Sequence, residues 1–502
     1  MVIRLLTLLA LLAPACLIGR RSLHMYQLCS YQDQSYKIYL SQNQKETFGV
    51  NRLLPLALQL LGTLWWRPLT LIGAALFALV NPIKKAKKPL VFTNRVKRLS
   101  FTMAVLPVLA GLFLTPLAPL LALLLPYGIM LAARVNKPVE DRISKGYMDD
   151  ARRILSENPG LTIIGITGSY GKTSTKYFLK ELLSVKYNVY MTPGNFNTPL
   201  GVTRAVREGL KPTHEIFLCE MGARHVGDVQ ELCDFVHPHM GVVTSVGPQH
   251  LETFGSQDNI TNEKLALYRA TKDRGGTFVN LDSPILAQQN YDGKVTRYGT
   301  SEGCDYRGGD IRVTAVGSEF TVTSPDGETA AFKTRLLGPA NVQNLIGAIA
   351  VANRMGVSMK ALVPAVRALE SVPHRLQLLS GGPGVMYIDD AYNANPQGAR
   401  AALDTLALCE GMARVLLTPG MVELGEQEQE LNRQMGEYAA ARCDFAILVD
   451  PKRGPAIRQG LLDGGFPAER IFSTDSLQKG LDHAATLGTR MVLLLNDLTD
   501  QY

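Results

Sequence analysis

The chain has 502 residues, a formal net charge of +8 at pH 7 and 46% hydrophobic residues, so it is long enough for two or three domains with separate cores. Seven basic residues and no acidic one lie in segment 84–98, which leaves the remainder nearly neutral; this argues against a nucleic-acid-binding surface and favours a loop beside a membrane. The seven cysteines are odd in number and never spaced C-x-x-C, which argues against a zinc site or a disulfide framework and predicts a reducing, cytosolic compartment.

The first 150 residues contain three long apolar stretches, at 1–19, 53–80 and 99–133. The first resembles a signal peptide with a weak cleavage site, and the second is long enough to span a bilayer although Arg67 and Pro68 interrupt it. These run lengths predict membrane-spanning helices that contact lipid. The alternative is a set of buried helices in a soluble domain.

Residues 161–176, LTIIGITGSYGKTSTK, carry the strongest functional signal in the sequence. An apolar run typical of a buried parallel strand leads into a glycine loop, a Lys-Thr pair and a segment that favours a helix. In this arrangement backbone N–H groups and the helix N-terminus face phosphates, Lys172 neutralises their charge, and the Thr173 hydroxyl can bind Mg²⁺. The general motif G-x-x-x-x-G-K-[ST] would need glycine in place of Ile166. The sequence predicts ATP binding; the alternative is a simple glycine turn.

This nucleotide-binding segment constrains the orientation of the N-terminal region, because ATP is a cytosolic substrate. Segment 84–98 should also face the cytosol by the positive-inside rule. Both ends of the stretch 99–133 then lie on one side of the membrane, and Pro116, Pro119 and Pro126 could break it into a hairpin that enters and returns. The sequence predicts a multi-pass membrane protein whose nucleotide-binding part is cytosolic.

Two polar residues follow later strands of the same predicted sheet. Glu220 ends the apolar run HEIFLCE, and His250 follows the run MGVVTSVG. Because parallel sheets place ligands at the carboxyl ends of their strands, Glu220, His250 and the Thr173 hydroxyl could converge on Mg²⁺. Taken singly, the two residues are equally well explained as a surface carboxylate and a loop histidine.

The remaining pattern predicts an α/β fold for the rest of the chain. Residues 293–335 alternate polar and apolar around glycine turns, which predicts a small antiparallel β insertion. From residue 376, strands alternate with helices, which predicts a second, Rossmann-like doubly wound parallel sheet. We therefore predict an N-terminal membrane-spanning region over 1–150, a central P-loop ATPase-type domain over 151–372 and a C-terminal α/β domain over 373–502.

Nine segments, in order, are similar to the Mur ligase family, the ATP-dependent amide-bond formers of bacterial peptidoglycan synthesis. They are TGSYGKTST (167–175), GNFNTPLGV (194–202), EMGARHVGD (220–228), TSVGPQHLETFGS (244–256), NEK (262–264), GPANVQNLIGAIAVA (338–352), PHRLQ (373–377), DDAYNANP (389–396) and GMVELG (420–425). They run in family order across residues 161–425, more than half of the chain, and the branch that adds D-alanyl-D-alanine to a muramoyl tripeptide is the most similar.

The resemblance implies specific residue roles. The ATP-binding residues would be Thr167, Gly168, Ser169, Tyr170, Gly171, Lys172, Thr173, Ser174, Asn341, Asn344, Arg375 and Asp390. The ligands of two Mg²⁺ ions would be Thr173, Glu220, His250 and Lys264, the last as an N-carboxylated lysine. The acceptor substrate would be contacted by Asn195, Asn197, Thr198, His225, Tyr392 and Asn395. The residues closest to the chemistry would be Lys172, His250, Lys264 and Asn393. Without the resemblance, Lys264 would be a solvated helix lysine, and the loop residues would satisfy turn backbone.

The implied reaction is the ligation of a peptide carboxylate to an amino acid or dipeptide, D-alanyl-D-alanine by preference, through an acyl phosphate. The N-terminal domain that holds the UDP end of the substrate in the family is not recognisable, and the apolar region stands in its place. A lipid-linked precursor is therefore an alternative to a soluble one. Other open alternatives are a ligase for another polymer such as a glutamate-type capsule, a non-catalytic cell-wall scaffold, and an ATPase that drives a transporter.

Overall fold

The structure is a computed structural model that describes residues 2–82, 89–113, 117–249, 251–391, 396–422, 424 and 427–496. It divides into two compact units, Met1–Tyr147 and Met148–Tyr502. The domain boundaries placed after residues 150 and 372 stay predictions. The helices of the N-terminal part, in chain order, are α1 (Val2–Leu28), α2 (Asp33–Gln42), α3 (Gln44–Phe48), α4 (Val50–Leu64), α5 (Pro68–Val80), α6 (Asn94–Phe113) and α7 (Ala118–Ser156).

Helices α4 and α5 form a tight pair joined at Trp65–Arg67. A Cβ atom on Gly62 would lie 2.4 Å from the backbone nitrogen of Thr70, and one on Gly73 would lie 2.7 Å from the carbonyl oxygen of Pro55. Only glycine therefore allows the two backbones to approach this closely. The apolar stretch 53–80, expected to be long enough to span, is thus two helices of 15 and 13 residues, each shorter than a span.

Helices α6 and α7 run antiparallel. Arg98 Nε lies 2.7 Å from Glu140 Oε1, and Asn136 Nδ2 donates to Thr102 Oγ1 at 2.8 Å. The later residue of α6 therefore contacts the earlier residue of α7, as in an antiparallel pair. Helix α6 ends at Phe113 and α7 begins at Ala118, so of the prolines expected to break the stretch Pro119 lies at the start of α7 and Pro126 lies inside it. Pro116 lies outside the described residues.

Two helical segments of the described residues, Leu6–Leu28 and Ala118–Ser156, are long and apolar enough to cross a membrane. Core helices of soluble proteins meet the same criterion, and 44% of the apolar window is buried in each case. Length and composition are therefore weak evidence for a span, and they do not support the multi-pass arrangement predicted from three apolar stretches.

The second unit begins with a nine-stranded sheet in the order β2-β3-β1-β4-β5-β6-β7-β8-β9. Its strands are β1 (Thr162–Thr167), β2 (Val189–Met191), β3 (Ile216–Glu220), β4 (Met240–Val243), β5 (Thr277–Asn280), β6 (Val295–Gly299), β7 (Tyr306–Thr314), β8 (Gly317–Thr323) and β9 (Thr329–Thr334). Its helices are α8 (Lys172–Leu183), α9 (Pro199–Gly209), α10 (Asp228–Val236), α11 (Leu251–Phe254), α12 (Gln257–Thr271), α13 (Pro284–Ala287), α14 (Pro339–Arg354) and α15 (Met359–Ala368).

The predicted antiparallel insertion proves to be an extension of this sheet. Strand β6, inside the predicted region 293–335, pairs in parallel with β5, and only β7, β8 and β9 pair antiparallel to one another. Two parallel pairings, Tyr298 with Tyr306 and Gly299 with Arg307, join the antiparallel strands to the rest. The insertion therefore shares the buried core of the main sheet.

A second sheet has the order β10-β11-β15-β12-β13-β14 and is parallel except for the edge pair β10–β11. Its strands are β10 (Gln377–Ser380), β11 (Val385–Asp390), β12 (Ala413–Thr418), β13 (Phe445–Leu448), β14 (Ile471–Ser473) and β15 (Arg490–Leu495). The helices between them are α16 (Pro396–Ala407), α17 (Glu428–Ala439), α18 (Gly454–Asp463) and α19 (Leu477–Ala485). This arrangement matches the predicted doubly wound α/β architecture.

The register of the first sheet assembles the candidate site. Ile166 lies opposite Glu220, and Thr167 lies opposite Val243, so β1, β3 and β4 end at the same edge. The glycine loop, Glu220 and the segment after β4 consequently meet at the carboxyl ends of three adjacent parallel strands, which is where open α/β sheets bind ligands.

Candidate functional site

Two glycines allow the loop between β1 and α8 to fold tightly. Gly168 has φ +148° and Gly171 has φ +82°; a Cβ atom would lie 2.1 Å from Thr244 Oγ1 at the first and 2.4 Å from Asn344 Oδ1 at the second. The backbone nitrogen of Ser169 donates to the carbonyl oxygen of Ser245 at 2.6 Å, and Thr244 Oγ1 donates to the Tyr170 carbonyl at 2.5 Å. Tertiary contacts therefore fix the loop conformation before any ligand binds.

Lys172 is the first residue of α8, and its side chain folds back over the loop. Its Nζ donates to the carbonyl oxygens of Gly168 at 2.6 Å and Ser169 at 3.1 Å. Although the residue as a whole is only partly buried, desolvation of the ammonium group lowers the pKa of Lys172 to about 8; Glu220 opposes this shift and Arg375 adds to it. A desolvated cation beside a helix N-terminus favours an anionic ligand such as phosphate.

Glu220, which is 1% exposed, lies at the centre of a polar cluster. Thr173 Oγ1 and Asn197 Nδ2 each donate to its Oε1 at 3.2 Å, and Lys176 Nζ lies 2.9 Å from its Oε2. Burial raises the pKa of Glu220, but the positive charges of Lys176 and Lys172 together lower it by more than burial raises it. The net shift of the pKa is therefore downward, and the carboxylate is ionised. A hydroxyl and a carboxylate oxygen this close together fit the ligand preference of Mg²⁺.

Sequence reasoning missed Lys176, which is 0% exposed. Its Nζ also donates to the carbonyl oxygen of Gly194 at 2.7 Å. The available signal is its spacing: Lys176 follows Lys172 by four residues, which puts both lysines on the face of α8 that meets the sheet.

Lys264 lies on α12 and is 2% exposed, in contrast to the solvated lysine that its local sequence favours. Desolvation, with a further contribution from the positive charge of Lys172, lowers its pKa to about 7. Its Nζ lies 5.8 Å from the centroid of the Phe254 ring. The neighbouring Glu263 accepts hydrogen bonds from the backbone nitrogens of Gly227 and Val229 at 2.7 and 2.6 Å, which holds α12 against the start of α10.

The two helix asparagines have different surroundings. Asn344 faces Gly171 of the loop, as its close approach to that glycine shows. Asn341 is buried, and its Nδ2 donates to the carbonyl oxygen of Leu337 one turn earlier at 2.8 Å. Of this pair, the structure brings Asn344 to the glycine loop, whereas the side chain of Asn341 bonds to the segment that precedes α14.

The residues expected near the acceptor substrate are also divided. Asn197 joins the Glu220 cluster, and Asn195 precedes it in the same loop. Thr198 caps α9, because its Oγ1 accepts from the backbone nitrogen of Gly201 at 3.3 Å. The exposed side chain of His225 has its Nδ1 3.8 Å from Asp228 Oδ2.

Asp390 is the last residue of β11 in the second sheet, and it shares an electrostatic neighbour, Arg375, with Lys172 beside the first sheet. Its Oδ1 accepts from the backbone nitrogen of Leu376 at 3.2 Å. Desolvation raises the pKa of Asp390 to about 6, and Arg375 opposes that rise. Because Arg375 also lowers the pKa of Lys172, its guanidinium influences both ends of the candidate site.

The remaining predicted site residues are assigned as follows. Thr167 Oγ1 donates to the carbonyl oxygen of Met221 at 2.9 Å, Tyr170 OH donates to that of Pro248 at 2.6 Å, and Ser174 is buried on α8. Four predicted residues lie outside the described residues: His250, Tyr392, Asn393 and Asn395.

Comparison with known proteins gives two family matches. Residues 166–352 match the Mur ligase middle domain, and residues 374–495 match the Mur ligase glutamate ligase domain. The UDP-N-acetylmuramoyl-tripeptide–D-alanyl-D-alanine ligase of Bacillus subtilis is 31% identical over 313 residues, which are 62% of this chain and 67% of that protein. The Escherichia coli enzyme of the same name is 31% identical over 65% of this chain and 74% of its own length. The Mycobacterium tuberculosis enzyme is 36% identical over 59% of this chain and 60% of its own length.

Solved structures agree with these matches. MurF from Acinetobacter baumannii superposes with a TM-score of 0.63 at 26% identity, covering 70% of this chain and 77% of that one. MurF ligase from Thermotoga maritima in complex with ADP also has a TM-score of 0.63 at 26% identity, covering 70% of this chain and 80% of that one.

Proposed function

We propose, from the premise that the chain belongs to the Mur ligase family, that it is an ATP-dependent ligase joining D-alanyl-D-alanine to the peptide of a peptidoglycan precursor. One observation carries this proposal: the desolvated Lys172 of the glycine loop and the Thr173–Glu220 pair lie together at the carboxyl ends of β1 and β3. The similarity to ligases of this specificity in three organisms supports the choice of substrates.

The loop would bind the phosphates of ATP through its backbone N–H groups, and the Lys172 ammonium would turn from the loop carbonyls to the phosphate oxygens. Thr173 and Glu220 would hold Mg²⁺, with His250 and Lys264 as the other ligands that the family resemblance implies for two ions. When bound, Mg²⁺ supplies positive charge that offsets the negative charge on the transferred phosphoryl group.

The peptide carboxylate attacks the γ-phosphorus of ATP, an acyl phosphate forms and ADP leaves. The amine of D-alanyl-D-alanine then attacks the acyl carbon, and loss of phosphate and a proton completes the amide bond. Lys172 stabilises the charge that develops in the first step. Arg375, which precedes β10 and acts electrostatically on both Lys172 and Asp390, would together with Asp390 help to exclude water from the acyl phosphate.

Lys264 is suited to becoming an N-carboxylated lysine. An amine attacks CO₂ only in its neutral form, and a pKa of about 7 keeps much of Lys264 neutral at physiological pH. The product carbamate would be anionic and could serve as an oxygen ligand for the second Mg²⁺.

Other roles rest on the family resemblance together with position. Asn344 beside the loop supports an adenine-side role that Asn341 would share. Asn197 beside Glu220 supports acceptor binding at its loop. The resemblance implies the same role for Asn195, Thr198, His225, Tyr392 and Asn395, and it would put Asn393 near the reacting groups.

We further propose that the enzyme works at the cytosolic face of the bacterial membrane on a lipid-linked precursor. The apolar segments Leu6–Leu28 and Ala118–Ser156, and the exposed Trp65 and Trp66 at the α4–α5 turn, support this part of the proposal. Confinement of enzyme and substrate to one surface would raise their effective concentration.

Phosphate release by the full chain in detergent tests both parts. The reaction should need ATP, Mg²⁺, a muramoyl tripeptide and D-alanyl-D-alanine together, and mass spectrometry should detect the pentapeptide product. ATP turnover that is independent of the carboxylate and the amine would contradict the ligase assignment. A comparison of UDP-linked with lipid-linked tripeptide decides the second part, because equal or better use of the UDP-linked form would remove the reason for membrane attachment.

A further inference from the structure

The two carboxylate oxygens of Glu220 have different partners, and one of these partners is Lys176, the buried lysine of α8. Oε1 faces Thr173 Oγ1 and Asn197 Nδ2, both at 3.2 Å, whereas Oε2 faces Lys176 Nζ at 2.9 Å. The side chains of Lys176 and Glu220 are 0% and 2% exposed, so water does not compete for this ion pair.

Lys176 is itself held in place by the loop that precedes α9. Its Nζ donates to the carbonyl oxygen of Gly194 at 2.7 Å, and the ammonium lies 5.5 Å from the centroid of the Tyr177 ring. A fixed ammonium group excludes a metal ion from the oxygen that it contacts, because both are cations in a region of low dielectric.

We infer that Lys176 is a positioning residue that makes Glu220 a one-oxygen metal ligand and so selects Mg²⁺ over Ca²⁺. Mg²⁺ requires near-ideal octahedral geometry with short bonds, whereas Ca²⁺ accepts six to eight oxygens and readily takes both oxygens of one carboxylate. A carboxylate that offers only one of its oxygens to a metal ion therefore suits Mg²⁺, the smaller of the two ions. This inference rests on the proposed function, which places a divalent ion at Thr173 and Glu220.

The test measures binding of Mg²⁺ and of Ca²⁺ to the full-length protein with a non-hydrolysable ATP analogue, by calorimetry and by the shift of the thermal unfolding midpoint. Lys176→Met removes the charge and keeps most of the side-chain volume. We expect the ratio of Ca²⁺ affinity to Mg²⁺ affinity to rise about tenfold or more in this variant, the size typical of groups that orient a metal ligand. Lys180→Met is the matched control: it removes a partly exposed lysine one turn later on α8, which pairs with Glu181, and should leave the ratio unchanged.

The outcomes separate the inference from the proposed function. If the wild-type protein shows no stabilisation by nucleotide and metal, the proposed site itself is wrong. If it is stabilised but Lys176→Met leaves the ratio unchanged, only the inference is wrong. Should Lys176→Met fail to fold, Lys176→Gln and the wild-type selectivity decide, because equal wild-type affinity for the two ions, or an unchanged ratio in Lys176→Gln, overturns the inference.

Discussion

Lys172 and Lys176 are one helical turn apart on α8, yet their charges are balanced differently. Lys176 has the carboxylate of Glu220 at 2.9 Å, whereas the Lys172 Nζ donates only to neutral loop carbonyls among the hydrogen bonds of the described residues. Within the described part of the chain Lys172 therefore has no ion pair, although Glu220 acts on it electrostatically, and an incoming triphosphate would supply a direct anionic partner. This difference supports the proposals that Lys172 binds phosphate and that Lys176 positions Glu220.

Replacing Lys172 by Met should lower the rate of phosphate release about 10²- to 10³-fold, the usual cost of removing one group that stabilises transition-state charge. The thermal unfolding midpoint without nucleotide should not fall, because the variant no longer buries a poorly balanced cation. Lys180→Met serves as the control for loss of a positive charge from the same helix. A Lys172→Met enzyme with near-normal turnover would contradict the assignment.

Asp390 gives a prediction about pH. Its pKa is raised from 3.8 to about 6, so between these values the folded protein binds more protons than the unfolded chain. Stability attributable to this residue therefore falls as pH rises from about 4 to about 6 and stays reduced above that. Asp390→Asn, which cannot ionise, should gain about 1–3 kcal/mol relative to wild type between pH 4 and pH 7. Urea unfolding at the two pH values measures this gain; a difference that does not change with pH would contradict it.

At the scale of secondary structure, local sequence patterns predicted the helices and strands, whereas the pairing of the strands and the burial of side chains depend on tertiary packing. The apolar run before the loop and the glycine spacing were enough to predict β1 and the start of α8. The alternating pattern of residues 293–335 also predicted antiparallel strands, which the structure confines to β7, β8 and β9. Their attachment to the main sheet depends on the short β6–β7 pairing, which no local pattern indicates. Lys264 was similarly beyond local reasoning, because its burial comes from the packing of α12 rather than from its neighbours in sequence.

The glycine loop provides a prediction at this scale. Gly171→Ala introduces a Cβ both at φ +82° and 2.4 Å from Asn344 Oδ1, so it should distort the loop and abolish the rise in thermal midpoint that ATP and Mg²⁺ produce. Gly465→Ala is matched in backbone strain, with φ +79°, but its Cβ would meet no atom within 4 Å. It should lose a little stability and keep the response to nucleotide. Equal responses in the two variants would show that the close approach to Asn344 is unimportant.

For the molecule as a whole, the open question is what the helical N-terminal unit does for the ligase. Family matches cover residues 166–352 and 374–495, so the family relationship explains the second unit. The role of the first unit is inferred from its physical properties instead. Many of its leucines and both tryptophans are exposed, among them Leu9, Leu131 and Trp65 at 55%, 57% and 86%. Such exposure is costly in water and favourable in lipid.

Membrane attachment predicts that the full chain stays with the membrane pellet after alkaline carbonate extraction. Leu124→Arg changes a side chain that is 56% exposed near the middle of the apolar part of α7, so it should disturb lipid contact rather than internal packing. An arginine near the centre of a span costs about 2.5–3.5 kcal/mol, and the variant should move measurably into the soluble fraction. Val185→Arg, at a 47% exposed position in the second unit, is the control for the same kind of change and should leave the distribution as in wild type. Release of the unmodified chain by carbonate would instead identify the two apolar segments as core helices of a soluble unit, and the reason for a lipid-linked substrate would disappear with the anchor.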